Sequence, residues 1–517
     1  MTTISNLVSL STQLRALGNK ALSSGTGRVQ AGTLGDTVTL SAAARGKAQG
    51  AAASVDYTDR IKVSGNKKID TLLAGGNRWF HESGASGTTP SLSAKHTLNY
   101  SFLTSTTGLS NMDANGFLAL DADKQARVRD ALSYISSVID VSFTEVASGG
   151  DIQYGSNRQG SSSGYARYPN EGAQVMLANN QASYDTDWSA GTYAWQVVLH
   201  ETAHTLGLKH PGSYNATGGK TPGPYLPTSQ DNRVNTIMSY TNASSMSRIA
   251  YDGTSFSRSY VNADSLQLND VAALQYLYGA ATSEAKTFQW SPGAIFSQTI
   301  FNNNADSVID LSNQTQDNLL DLRAGRFSSI AQRDAYADMS FTAKEYAKLK
   351  SDGKTLTSLI GKPGYTGKNN LAIAAGSQIN RAVGGSGNDS IIANSAANTI
   401  DGGAGNDKFF LTGGDATLTG GDGDDTVFLK KKAGAVWRLS EDKLSLNLTT
   451  TDKKTKEVTT LSNVTLDGIE HVKYWDGTAL KASGKGLLAS PLSSKLTVAY
   501  SPPSATPSTG QGLDTTA

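Results

Sequence analysis

The sequence predicts an α+β domain followed by an all-β parallel β-roll, and two features support this prediction. In the first half, a stretch with helical periodicity carries two histidines four residues apart, His200 and His204. In the second half, glycine- and aspartate-rich turns recur with a strict period of 18 residues, which is typical of a repeat architecture. A chain of 517 residues is long enough to give each part its own core.

Three elements of the first half follow from the apolar pattern. Gln125 to Phe143 has the spacing of an amphipathic helix, with a core stripe formed by Val128, Ala131, Leu132, Ile135 and Val138. Gly172 to Ala178 has the composition of a strand, and Trp195 to Leu206 is predicted to form the helix that carries the paired histidines. The domain is therefore expected to mix helices and strands.

The paired histidines lie in a motif that can bind zinc. On a helix, His200 and His204 leave the same face, with Glu201 one position round. Gly207 can end the helix in a left-handed conformation, so that the chain turns back and His210 approaches the same point. Three protein ligands leave one position open for water, which distinguishes a catalytic zinc site from a closed structural one.

A downstream segment, Thr236 to Tyr240, extends this motif. Met238 lies 28 residues after His210, and the longer pattern favours zinc over the alternative that the histidines are solvated or satisfied in a core. The arrangement resembles the metzincin peptidases. This resemblance implies that Met238 packs beneath the three imidazoles and that Tyr240 approaches the zinc and stabilises the transition state. A buried core tyrosine is the alternative for Tyr240.

Metzincins also pair an extended substrate with an edge strand that precedes the active-site helix. The resemblance assigns this role to the strand predicted over Gly172 to Ala178, with Ala173, Val175 and Leu177 as its contact residues. An ordinary buried strand is the alternative.

The repeating turns predict calcium sites in a parallel β-roll. One apolar residue recurs every nine positions, at Ile391, Ile400, Phe409, Leu418, Val427 and Val436. Each 18-residue coil would then have two short strands and two turns, with the three intact turns stacked on one side. Glycine frees the backbone carbonyls to face an ion between turns, and aspartate supplies carboxylate oxygens. At least two Ca²⁺ ions are expected, held by Gly385, Gly387, Asp389, Gly403, Gly405, Asp407, Gly421, Gly423 and Asp425. A flexible Gly/Asp loop, the alternative, does not explain a fixed period.

A zinc motif of this kind followed by calcium repeats is similar to the serralysins, over roughly residues 70 to 430. The resemblance implies a secreted bacterial metalloprotease, made as a zymogen and exported by a type I secretion transporter. A proteinaceous inhibitor is a further candidate partner. The predicted segments are a propeptide or mobile N-terminal arm (1–60), a zinc metalloprotease domain (61–280), a β-rich transition (281–370), the calcium-binding β-roll (371–430), and a C-terminal β region with a secretion-signal tail (431–517).

Composition is consistent with an exported protein. Cysteine is absent, so no disulfide can form. With 45 basic and 44 acidic residues the net charge is +1, which excludes a broad electrostatic attraction to nucleic acid or membrane. No run of 18 apolar residues predicts a membrane-spanning helix, and residues 1 to 30 lack the pattern of a signal peptide. We expect a monomer with protein or peptide substrates, no nucleic-acid partner and no stable membrane insertion.

Together these features predict a zinc-dependent endopeptidase that hydrolyses internal peptide bonds of extracellular proteins. Glu201 is expected to act as the general base and Tyr240 to hydrogen-bond the developing oxyanion, beside one catalytic Zn²⁺. The competing hypothesis is a non-catalytic, calcium-stabilised secreted binding or adhesion protein with a relict metal site. Glu201 argues against it, because a relict site has no chemical need for that carboxylate.

Overall fold

The computed structural model describes residues 63–75, 79, 96–170, 172–181, 187–215, 220–251, 256–335, 337–338, 347, 351, 364–442 and 444–475, with short strands at 481–482, 487–488 and 498–499. The predicted propeptide or mobile arm (1–60) lies outside these residues. Within them, no helix has the length and apolar character needed to cross a membrane.

The described part of the first domain combines helices and strands, as predicted. Its helices are α1 (Lys67–Asp70), α2 (Asn111–Ala114), α3 (Ala122–Ser136), α4 (Tyr193–Thr205), a 3₁₀ turn (Ser244–Met246) and α5 (Leu268–Tyr278). Its strands are β1 (His96–Phe102), β2 (Val141–Glu145), β3 (Ile152–Asn157), β4 (Gly164–Ala166), β5 (Ala173–Ala178), β6 (Ser247–Tyr251) and β7 (Phe256–Tyr260).

The helix α3 is shorter than its predicted span of Gln125 to Phe143. Asp121 caps its start by accepting a hydrogen bond from the backbone N–H of Lys124 at 2.9 Å. The predicted stripe is buried, but Val138 lies beyond the last helical turn and the chain enters β2 at Val141. The apolar pattern continued past Ser136 because a buried strand follows the helix directly.

The sheet of this domain places β4, not β5, at the edge beside α4. The strand order is β2-β1-β3-β5-β4, parallel except for the antiparallel outer strand β4. The predicted substrate role of β5 is therefore wrong. Its backbone is already bonded to β3 and β4, and the side chains of Ala173, Val175 and Leu177 are fully buried in the core.

The second half forms two parallel ladders that face each other across a separate core. Its strands are β8 (Thr287–Phe288), β9 (Gln298–Ile300), β10 (Val308–Asp310), β11 (Leu319–Asp321), β12 (Arg326–Ser328), β13 (Leu371–Ile373), β14 (Arg381–Val383), β15 (Ser390–Ile392), β16 (Asn398–Asp401), β17 (Lys408–Leu411), β18 (Ala416–Thr419), β19 (Thr426–Lys430), β20 (Ala435–Leu439), β21 (Ser445–Thr451), β22 (Val458–Asp467), β23 (His471–Trp475), β24 (Lys481–Ala482), β25 (Leu487–Leu488) and β26 (Val498–Ala499).

These strands form two large sheets. One has the strand order β20-β21-β22-β18-β16-β14-β10-β8 and the other has the order β11-β15-β17-β19-β23-β26. A small sheet, β12-β13-β9, and a two-stranded pair, β24-β25, accompany them.

The apolar positions of the repeats stack as predicted, with one exception. Residues 18 apart lie in register, so that Ile391 pairs with Phe409 and Phe409 with Val427. All the predicted positions from Ile391 to Val427 are buried. Val436 is 56% exposed, contrary to the prediction, because the chain leaves the roll after β19 and forms the antiparallel hairpin of β20 and β21.

The ladders extend beyond the predicted roll of 371–430 in both directions. Before it, β10 pairs in parallel with β14 and β11 with β15. After it, β22 and β23 continue the ladders on β18 and β19. Strands from the transition and the C-terminal region therefore supply further coils of the same stack.

Candidate metal centres

The helix α4 and the turn that follows it bring three imidazoles together. Thr192 caps the helix start by accepting a hydrogen bond from the N–H of Trp195, and Gly207, at φ 97°, lets the chain reverse. The Nε2 atom of His210 then lies 3.2 Å from that of His200 and 3.1 Å from that of His204. In the described residues, this trio is the one group of three or more His, Asp or Glu side chains close enough to share a metal ion.

Each imidazole is oriented by a backbone carbonyl on its outer side. The Nδ1 atoms lie 2.8 Å from the oxygen of Ile237 for His200, 2.7 Å from that of Leu208 for His204 and 3.1 Å from that of Tyr214 for His210. A carbonyl oxygen can only accept a hydrogen bond, so each Nδ1 atom is the donor. In a neutral imidazole the Nε2 atom then keeps its lone pair. Burial lowers the pKa of His204 to about 3 and that of His210 to about 4, and it lowers that of His200 as well.

This donor set fits zinc. Three neutral imidazoles turn lone pairs toward one point, which is unfavourable unless a cation lies between them. Tetrahedral zinc with Zn–N bonds of 2.0–2.1 Å would place its nitrogen ligands roughly 3.3 Å apart. The Nε2–Nε2 separations of 3.1 and 3.2 Å are close to that value.

Glu201 lies in the wall of the cleft next to these rings. Its side chain is 5% exposed, burial raises its pKa to about 8, and its Oε2 atom has no hydrogen-bond partner among the described residues. A Cβ atom at Gly164 would lie 2.9 Å from the Glu201 Cγ atom. Glycine at this position therefore lets the edge strand β4 pass directly over the carboxylate.

The turn that carries Met238 is held from below by a buried carboxylate that sequence reasoning missed. Met238 is fully buried in the core, directly after Ile237, whose carbonyl orients His200. Asp270 accepts hydrogen bonds from the Thr236 hydroxyl at 2.5 Å and the Ile237 N–H at 2.8 Å. The sequence signal that could have identified Asp270 is its capping-box pattern with Gln267 at the start of α5.

Tyr240 is not a buried core residue. It is 43% exposed, and its ring centroid lies 4.6 Å from that of His210 and 6.1 Å from that of His200. Tyr214, which the motif analysis did not single out, lies against both: its ring is 4.9 Å from that of Tyr240 and 5.7 Å from that of His210. Aromatic side chains therefore flank the imidazoles on the open side.

A clasp from the start of the domain holds the loop between His204 and His210. The Leu72 oxygen accepts from the Lys209 N–H at 2.7 Å, and the Gly207 oxygen accepts from the Ala74 N–H at 2.9 Å. The Lys209 ammonium, only 4% exposed, donates to the Thr71 oxygen at 2.7 Å, and burial lowers its pKa to about 8. We found no sequence signal for this clasp.

In the roll, the aspartates of successive turns form a ladder along the stack. The Asp389 N–H donates to the Asp407 Oδ1 atom at 2.8 Å, and the Asp407 N–H donates to the Asp425 Oδ1 atom at 2.7 Å. The pattern continues past the third repeat, where the Asp425 N–H donates to Glu470 at 2.7 Å. At the other end, Asn318 donates to the Asp389 Oδ1 atom.

Two of these carboxylates fit a cation. The Oδ2 atoms of Asp407 and Asp425 are buried and have no hydrogen-bond partner among the described residues. Burial raises the pKa of Asp407 to about 8, and the neighbouring Asp389 and Asp425 add to the rise. Asp389 differs, because its Oδ2 atom accepts from the Gly385 N–H at 2.7 Å. Buried carboxylate oxygens without a protein partner are a type of ligand that suits Ca²⁺.

The glycines of the turns are required by close backbone stacking. A Cβ atom at Gly403 would lie 2.3 Å from the Gly385 oxygen, and one at Gly421 would lie 1.8 Å from the Gly403 oxygen. Both residues also have positive φ, 92° and 98°. The predicted calcium-site glycines therefore allow the coils to approach one another.

Comparison with known proteins agrees with this two-part organisation. Residues 91–251 match the metallo-peptidase family M12, and residues 375–409 and 410–429 match the RTX calcium-binding nonapeptide repeat. These matches and the strand-rich second half confirm the predicted fold class, and the cofactors they imply are a catalytic Zn²⁺ and structural Ca²⁺.

Curated bacterial proteins are similar to this chain in sequence. A serralysin of Proteus mirabilis is 32% identical over 247 residues, covering 40% of this chain and 48% of that protein. Metallopeptidase AprA of Pseudomonas marginalis is 31% identical over 261 residues, covering 45% and 54%. The chain thus spans about half the length of these relatives. Among solved structures, a hatching-enzyme zinc-protease of the medaka fish Oryzias latipes matches at 16% identity and a TM-score of 0.21, covering 35% of this chain and 88% of that one.

Proposed function

Because the chain is serralysin-like, with an M12 metallopeptidase domain followed by RTX repeats, we propose that it is a secreted zinc-dependent endopeptidase that cleaves internal bonds of extracellular proteins. The observation that carries this proposal is the convergence of three Nε2 lone pairs beside the buried carboxylate of Glu201. His200, His204 and His210 would hold the ion. Bound Zn²⁺ would supply Lewis-acid activation of water and of the scissile carbonyl.

Glu201 is the proposed proton carrier. Its carboxylate is buried beside the imidazoles and is not one of the three proposed zinc ligands, so it can act as a base. It would accept a proton from the attacking water and deliver it to the leaving amine. The partly exposed ring of Tyr240 lies against His210, which supports a role in which its hydroxyl donates to the developing oxyanion.

The edge strand β4 is the proposed docking site for the substrate backbone. It is the outer strand of the sheet, and it packs on α4 next to Glu201. An extended peptide added to this edge would pass over the carboxylate with its main chain hydrogen-bonded to β4. This replaces the role predicted for β5.

Asp407 and Asp425 are the proposed centres of the calcium sites, together with carbonyls of the stacked glycine turns. Calcium-poor cytoplasm would leave the roll unfolded for a type I transporter, and calcium outside the cell would then fold it by binding only the folded state. On the resemblance to serralysins, we also propose that the protein is made with a propeptide, that it binds a proteinaceous inhibitor and that it is monomeric.

A casein digestion assay tests the proposed activity. The protein is refolded with calcium and assayed before and after removal of zinc by a zinc-selective chelator, and again after zinc is restored. We expect loss and recovery of cleavage. A protein that binds zinc but never cleaves casein or a peptide mixture would instead support the adhesion hypothesis, which the M12 match and the intact Glu201 disfavour.

A further inference from the structure

A cavity of about 230 Å³ opens directly beside Glu201. It lies between the first turns of α4, the segment 161–164 that leads into β4, and the turn before Met238. Tyr193 and Gln196 line it from the helix, and His200 and Tyr240 line it on the side of the imidazoles. A substrate side chain next to the scissile bond would enter this space.

Arg233 gives this cavity a positive charge. Among its described lining residues Arg233 is the one lysine or arginine, and Glu201 is the one acid. No described carboxylate lies within ion-pair distance of the Arg233 guanidinium, whereas the guanidinium groups of Arg129 and Arg167 in the same domain each contact an acid at 2.7 Å. The charge of Arg233 is therefore available to a ligand.

The guanidinium is also held in place. Its Nε atom donates to the Ser239 oxygen at 3.1 Å, and its Nη1 atom donates to the Asn242 Oδ1 atom at 2.9 Å. Its carbon lies 5.8 Å from the centre of the Tyr193 ring. The Nη2 atom makes no hydrogen bond with the described residues. A fixed guanidinium with free donors binds a carboxylate with little loss of side-chain entropy.

The direction of β4 determines which substrate residue reaches the cavity. The strand runs from Ser163, at the cavity, toward Tyr168, whose ring lies edge-on to His204 at 5.8 Å. A peptide that pairs antiparallel with β4 runs the opposite way, from Tyr168 toward Ser163. The residue that follows the scissile bond then lies over the cavity.

We propose that Arg233 makes this enzyme selective for an acidic residue, aspartate or glutamate, immediately after the scissile bond. The inference rests on the proposed peptidase activity and adds a substrate class to it. The bound peptide would form a charged carboxylate–guanidinium contact with the partly exposed Arg233, whereas the neutral amide of glutamine or asparagine gains only a weaker hydrogen bond.

Matched peptides test this proposal. The calcium- and zinc-loaded full-length protein is given pairs that differ only after the scissile bond, glutamate against glutamine and aspartate against asparagine. We expect kcat/KM to be about tenfold higher for the acidic member, the usual order for a hydrogen bond to a charged group. The advantage should shrink in 1 M salt, which screens partly exposed charges.

Variants identify the residue responsible. Arg233→Gln should bring the acid-to-amide ratio close to one, and Arg233→Lys should keep an intermediate ratio. Because the readout is a ratio within one protein, a general loss of activity does not alter it. Arg248→Gln is the matched control, since Arg248 pairs with Asp338 at 3.0 Å and does not line the cavity; its ratio should equal that of the parent.

Two failures are distinguishable. If no peptide is cleaved by the zinc-loaded protein, the proposed function fails. If both members of each pair are cleaved equally, or if the acidic preference falls on the residue before the scissile bond, the proposed function stands and the role of Arg233 is overturned.

Discussion

In the peptidase domain each imidazole has its outer nitrogen held by a backbone carbonyl, whereas in the roll Asp407 and Asp425 each keep one buried oxygen with no partner among the described residues. Burial of the neutral imidazoles costs less than burial of a charged group, because each ring has its outer nitrogen hydrogen-bonded. The aspartates carry charge into a buried stack, which is unfavourable without a cation.

We therefore expect zinc and calcium to relate differently to folding. The zinc ligands are positioned by α4, by the clasp at Leu72 and Ala74, and by the turn that Asp270 holds. We therefore expect the zinc site to be largely formed before the ion binds. The coils of the roll are expected to need calcium in order to fold.

The largest effect is expected from Glu201→Gln, which separates zinc binding from chemistry. The carboxylate is beside the imidazoles but is not a ligand, so the variant should retain zinc while kcat falls by about 10²–10⁴-fold, the usual contribution of general acid–base catalysis. Metal analysis beside a turnover assay measures both. Full activity in this variant would remove Glu201 from the reaction.

The next effect is a joint loss of zinc and activity in His210→Ala, with the fold retained. Removing one of three ligands should weaken zinc binding by about tenfold or more, while far-ultraviolet circular dichroism stays unchanged because the carbonyl partners of the other rings remain. His96→Ala removes an imidazole outside the trio and should keep its zinc. If His210→Ala were unfolded, with zinc absent or present, the peptidase domain would depend on its zinc site in order to fold. The expected contrast with the calcium-dependent roll would then be lost.

A smaller effect is expected within the roll, where Asp407→Asn and Asp389→Asn form a matched pair. Asp407 has a buried oxygen without a partner, whereas both oxygens of Asp389 accept protein hydrogen bonds. The calcium concentration needed for half-folding should rise about tenfold for Asp407→Asn, the order expected for one contact to a charge, and less for Asp389→Asn. Calcium titrations followed by circular dichroism compare the two; equal midpoints would contradict the assignment.

The smallest effect is a pH dependence of the calcium-free roll. Burial raises the pKa of Asp407 from 3.8 to about 8 in the folded chain. Between these values the folded state holds a proton that the unfolded state has released, so the free energy of unfolding falls as pH rises through this window. With a calcium-selective chelator, the β content of the roll measured by circular dichroism should therefore be small at pH 8 and larger at pH 5. A β content that rises with pH would show that Asp407 is not buried without its ion.

The motif residues could be predicted from the sequence because helix geometry and repeat period fix their relative positions locally. His200 and His204 share a helix face because four residues are close to one turn of an α-helix. Ile391, Phe409 and Val427 stack because each coil adds 18 residues. The role of β5 was mispredicted because strand order depends on pairing between distant segments. Arg233 and Asp270 were missed for the same reason: their significance comes from neighbours far along the chain.

The clasp at the start of the domain limits how far the chain can be shortened from that end. Lys209 is tied to Thr71 and Leu72, and the Trp79 Nε1 atom donates to the Thr205 oxygen at 2.6 Å. Trimming that stops before Asn66 leaves these ties intact. Trimming that continues past Leu72 would release a buried ammonium directly before His210. The distance by which the chain can be shortened from this side without disturbing the zinc site is therefore limited by Lys209, a residue outside the proposed chemistry.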